Sequence, residues 1–193
     1  MKQFLPALAV VAAFSVPASL AYSSTLIGSQ VTDTSYYPNL STPDTVPDTQ
    51  TVNGAIEFPS GSETALNGTI LIGTNIAVGA SSIDFTFTEN GTSAAAAFNG
   101  DVFDFSSSGP VITGVSLDPL STFNASQIGL SFGPHEIEVD ESGLHITTAS
   151  QILIDIDLAS STTTPEPQAW ALILTGLGLV GAGARRNRSM PKA

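Results

Sequence analysis

The chain has 193 residues, 17 of them acidic and five basic, a net charge of −12 and no cysteine, which excludes disulfides, thiolate metal sites and a cysteine nucleophile. The five bases are Lys2, Arg185, Arg186, Arg188 and Lys192, so residues 22–164 hold none, yet they hold every acid except Glu166. A body charged in this way repels polyanions, which excludes nucleic acid and anionic lipid surfaces as ligands, and its carboxylates must be solvated, hydrogen-bonded to neutral donors or neutralised by cations or a basic partner.

In chain order, Lys2 and an apolar stretch over residues 4–14 lead to small residues ending at Ala21. This is the layout of a signal peptide over residues 1–21, cut by signal peptidase between Ala21 and Tyr22. Residues 22–158 are long enough for one domain with its own core. Strict alternation over residues 83–88, 136–140 and 152–158 places Ile, Val or Phe on one face and mainly carboxylate or hydroxyl on the other, the period of half-buried strands. Further strands are expected over residues 25–31, 55–58, 69–72, 102–105, 111–117, 128–132 and 144–147. Between them fall turn signals such as Asn67-Gly68, Asn90-Gly91, Asn99-Gly100 and Ser142-Gly143. The expected body is all-β, an antiparallel sandwich or jelly-roll-like fold. Residues 37–47 carry Pro38, Pro43 and Pro47 and read as an ordered loop or covering flap. Residues 159–164 have the Ser/Thr composition of a flexible stalk.

The chemistry of this body rests on carboxylates. On one strand Asp155 and Asp157 share a face, and on another Glu136, Glu138 and Asp140 do, with residues two apart separated by about 7 Å. Such pairs could hold Ca²⁺, for which Glu138, Asp140, Asp155 and Asp157 are the candidate ligands, or serve a glycosidase as acid and base. Their default role is to solubilise outer faces and protect edges, since lysine is unavailable. Residues 138–143 resemble the first half of a calcium loop, but Ala149 stands where the closing acid belongs, so a hairpin turn with an acidic rim is expected. His135 and His145 flank that turn and read as strand-edge residues. The body has no GxSxG, HExxH or phosphate loop, no catalytic residue is assigned, and no cofactor is required apart from the Ca²⁺ these acids could take.

The last 29 residues are the most specific part. Pro165, Glu166 and Pro167 precede an apolar run over residues 169–184, and Arg185, Arg186 and Arg188 follow it. The prolines keep the entry extended, the apolar run partitions into a bilayer as a single transmembrane helix, and the arginines stay on the cytoplasmic side. Sixteen residues at about 1.5 Å each span about 24 Å, short of a hydrocarbon core near 30 Å; Trp170 at one edge and the arginines at the other favour the membrane over a buried helix. Gly176, Gly178 and Gly181 fit GxGxxG literally, but within that run they read as small residues of a membrane helix.

This order of parts, over residues 165–188 with a short tail over 189–193, resembles the PEP-CTERM sorting signal of Gram-negative bacteria. The resemblance implies an exosortase-like membrane enzyme as partner, with Pro165, Glu166 and Pro167 as recognition motif, residues 169–184 as a transient inner-membrane anchor, and Arg185, Arg186 and Arg188 as stop signal. It also implies removal of the hydrophobic tail and delivery to the cell surface or an extracellular matrix. The resulting expectation is an exported, C-terminally processed protein with a structural or adhesive role in an exopolysaccharide or biofilm matrix. A Ca²⁺-dependent glycan-binding module is the alternative, and a secreted glycoside-active enzyme comes third.

Overall fold

Alternating apolar residues of the body become the inner faces of two antiparallel sheets. The computed structural model describes residues 21–22, 24–66 and 68–162. The strands are β1 (Ala21–Tyr22), β2 (Gln30–Tyr36), β3 (Asp48–Thr51), β4 (Ile56–Phe58), β5 (Thr74–Val78), β6 (Ser82–Phe87) and β7 (Gly91–Thr92). They continue with β8 (Gly100–Phe105), β9 (Ile112–Leu117), β10 (Gly129–Gly133), β11 (Glu136–Asp140), β12 (His145–Ile146), β13 (Gln151–Leu158) and β14 (Ser161–Thr162). The first five-stranded sheet runs β10-β11-β8-β2-β3 and the second β4-β5-β6-β13-β9, with β12-β7 and β1-β14 as two-stranded pairs. The expected sandwich-like, all-β body is therefore present.

Period-two burial explains how the sheets meet. In β6, Ile83, Phe85 and Phe87 are buried while Asp84 and Thr86 turn outward; in β13, Ile152, Ile154 and Ile156 do the same. Facing them, Phe103 and Phe105 of β8 and Ile137 and Val139 of β11 join the same core cluster. Phe103 bridges the layers, its ring 6.4 Å from that of Phe58 and 5.8 Å, edge-on, from that of Phe85. Gly100 is needed for close approach and not for a turn, since a Cβ there would lie 1.9 Å from the Val139 carbonyl oxygen.

Several expected elements move. The strand expected over 25–31 is β2 at Gln30–Tyr36, and no strand covers 69–72, where β5 begins instead at Thr74. Asn90-Gly91 and Asn99-Gly100 are not turn centres, because Gly91 and Gly100 open strands; Gly143, with φ +78°, is one. Residues 37–47 form the expected ordered loop, held where Asp44 N–H donates to Ser35 C=O at 2.7 Å and Thr45 bridges Ala65. The signal peptide up to residue 20, Pro165, Glu166, Pro167, the apolar run over 169–184, and Arg185, Arg186 and Arg188 lie outside the described residues.

A buried carboxylate cluster as candidate metal centre

The cluster starts from the parity of β2. Val31, Asp33 and Ser35 occupy alternate positions, so Asp33 points inward where the pattern would otherwise place a hydrophobic residue. The ladder sets Asp33 opposite Asp48 of β3 on one side and opposite Phe103 of β8 on the other, and it sets Ser35 opposite Asp101. Asp101, Phe103 and Phe105 share the inner face of β8, with the acid at the end of the row. Glu141 follows Val139 by two residues beyond β11 and keeps its orientation; its N–H donates to the Asn99 carbonyl at 2.8 Å. Glu63 enters from the β4–β5 connection. That connection is pinned by Val46 N–H donating to Thr64 C=O at 2.9 Å and by Leu66 N–H donating to Asp44 C=O at 2.7 Å.

Carboxylate oxygens of Asp33, Glu63 and Asp101 all lie within 4.8 Å of one another. Asp101 accepts a hydrogen bond from the Ser35 hydroxyl at 2.6 Å. Asp33 is only 3 % exposed and neither of its oxygens has a hydrogen-bond partner; Glu141, 8 % exposed, has Oε1 without one. Glu57 shows what a buried acid ordinarily requires: Oε1 accepts the N–H groups of Asn53 and Gly54 at 2.8 and 3.1 Å, and Oε2 accepts that of Val78 at 2.6 Å. Asp33 has no such donor on either oxygen. A cavity of about 250 Å³ opens onto the cluster, lined by Glu63, Asp101 and Glu141 with Tyr37, Asp44 and Asn99.

Without a counter-ion the cluster holds protons. Burial pushes the Glu63 carboxyl up to about 7, with Asp101 adding repulsion. Burial lifts Asp101 to about 6 against the stabilising Ser35 hydroxyl. Asp33 and Glu141 are raised well above the carboxylate range by burial first and by the charges of Asp101 and Glu63 next.

The acids singled out from sequence sit elsewhere. Asp155 and Asp157 stand on the exposed outer face of β13, in the second sheet, whereas Glu138 and Asp140 are half-buried on β11 in the first. Glu138 accepts from the Ser131 hydroxyl, and Asp140 Oδ1 accepts the Asn99 and Ser142 N–H groups at 3.0 Å each, which makes residues 138–143 a capped turn. Among the described residues these four are not gathered into a common ligand set. Glu136 pairs across the ladder with Asp104 on the outer face. The histidines do not pair with each other: His145 of β12 lies opposite Thr92 of β7, its Nδ1 3.3 Å from the Thr92 hydroxyl, and His135 sits in the β10–β11 turn.

The inner acids had one legible signal, the shared parity of Asp101 with Phe103 and Phe105. Glu63, on a loop, had none. Compared with family models, curated proteins and solved structures, the chain matches none.

Proposed function

We propose that the chain is an exported bacterial surface or extracellular-matrix protein, sorted and C-terminally processed by an exosortase-like enzyme, whose acidic sandwich, jelly-roll-like in type, has a structural or adhesive role. The observation that carries this reading is the partition of charge, with every lysine and arginine outside residues 22–164 and all the acids but one inside. Bases confined to the two ends are what signal-peptide and stop-signal functions require, and a base-free body suits a hydrated polysaccharide surrounding. Intact-mass measurement on the surface or secreted fraction of the native host tests it. The expected mass runs from Tyr22 to about Pro167, with or without an attached group; a mass that retains Arg185, Arg186 and Arg188 would overturn the processing step.

The cavity beside Asp101 and Glu141 favours a second reading, glycan binding by the same exported body. Its polar lining supplies the hydrogen-bond partners that a sugar ring needs. Binding of neutral oligosaccharides, lost on Asn99→Ala, would support it; an array showing no glycan bound at millimolar concentration would exclude it.

A further inference from the structure

Of the groups left unexplained by the fold, Asp33 is the most demanding. It is buried and unpartnered, and the charged groups that act on it are all acids: Asp48 on β3, Asp101 on β8 and Glu63 on a loop, with Glu141 in turn close to Asp101 and Glu63. Tyr37 and Asp44 are the other titratable groups of the cavity, and residues 22–164 contain no lysine or arginine that could answer these charges. A buried carboxylate in such surroundings stays protonated or is neutralised by a cation.

We propose that Asp33, Glu63 and Asp101, with Glu141 beside them at the cavity, form a binding site for one Ca²⁺ ion. The site is independent of where the protein is delivered, and it shares the cavity of the glycan reading without requiring a glycan. The donors are hard oxygens with no histidine or cysteine among them, which suits Ca²⁺ or Mg²⁺ and disfavours zinc. These oxygens, all within 4.8 Å of one another, fit inside a Ca²⁺ shell of about 2.3–2.6 Å radius, and several carboxylates with no fixed octahedral frame suit Ca²⁺ better than Mg²⁺, which dehydrates reluctantly and keeps most of its waters. The cavity leaves room for water to complete the coordination. Because the ligands come from two strands and a loop, the ion ties the β4–β5 connection to the first sheet. It must also displace the protons that the metal-free cluster retains, so affinity rises with pH.

The test uses the full-length chain in mild detergent, stripped with chelator and titrated with CaCl₂ by calorimetry and thermal melting at pH 7.5. One ion per chain is expected. At a hundredfold excess over Kd the midpoint rises by about 5–10 °C, and the affinity is at least about tenfold weaker at pH 5. Glu63→Gln, on a loop where an isosteric change leaves the sheets alone, is expected to weaken binding at least about tenfold, as is Asp33→Asn, whereas Asp157→Asn leaves it unchanged. Mg²⁺ is expected to bind at least about tenfold more weakly than Ca²⁺. The proposal is overturned if Ca²⁺ gives neither heat nor a melting shift at millimolar concentration, which leaves protons as the cluster's only counter-charge. It is equally overturned if Glu63→Gln and Asp33→Asn respond as the parent does, which puts the ion on the outer acids, or if Mg²⁺ binds as tightly as Ca²⁺.

Discussion

The outer face of β13 and the inner face of β2 carry the same side chain under opposite conditions. Asp155 and Asp157 look into water, where a carboxylate is hydrated and costs the fold almost nothing. Asp33 looks into the sandwich, opposite Phe103 on β8, where neither of its oxygens meets a hydrogen-bond donor or a basic side chain. A single step along a strand separates the two conditions, because successive side chains point to opposite faces. In a body without lysine or arginine, an inward acid has no ion pair available, so unless backbone N–H groups satisfy it, as they do Glu57, it demands a counter-charge.

The largest effect that sharpens this comparison comes from the apolar rows next to the acidic one. Phe103→Ala removes the ring that joins Phe58 and Phe85 across the layers and is expected to cost about 3–5 kcal/mol in urea unfolding. A loss below 1 kcal/mol would mean that the two sheets are not held together through this row. Next comes pH. Glu63 and Asp101 carry folded-state values of about 7 and about 6, above the unfolded carboxylate range near 4, so the metal-free fold binds protons that the unfolded chain has released. Its stability is full below about pH 4 with respect to these groups and falls as pH rises through about 6–7. Glu63→Gln is expected to flatten that decline in melting curves recorded in chelator; a parent curve flat from pH 5 to 8 would remove the inner cluster as an energetic feature. Smallest is the outer face, where Asp155→Asn and Asp157→Asn should each change stability by no more than about 0.5 kcal/mol. A larger change at either position would break the contrast between the two faces.

The strands easiest to anticipate are those whose inner positions are all apolar. Ile83, Phe85 and Phe87, and Ile152, Ile154 and Ile156, mark β6 and β13 almost to their ends. β2 was displaced because Asp33 and Ser35 interrupt the apolar face, and β3, the polar edge strand Asp48–Thr51, offers no apolar residue at all. The run Thr69-Ile70-Leu71-Ile72 mimicked a strand, yet Ile70 is 92 % exposed and β5 lies just beyond, where Ile76 and Val78 alternate. Legibility of the cluster failed for a related reason. Acids at positions 33, 63, 101 and 141 are joined only by sheet pairing and a loop contact, and neither is written in local spacing. Conversely, the neighbouring acids of β11 and β13 looked like ligand sets because they are close in sequence, whereas pleating turns them outward.

The most direct measurement is a side-chain ¹³C NMR titration of the aspartate and glutamate carboxyls in chelator and then in Ca²⁺. The account predicts that Glu63 titrates near pH 7 and Asp101 near pH 6 without metal, and that both steps move to lower pH when Ca²⁺ is added. Both groups titrating in the ordinary range near pH 4 in chelator, with no response to Ca²⁺, would contradict the picture of a desolvated inner cluster that needs a counter-charge.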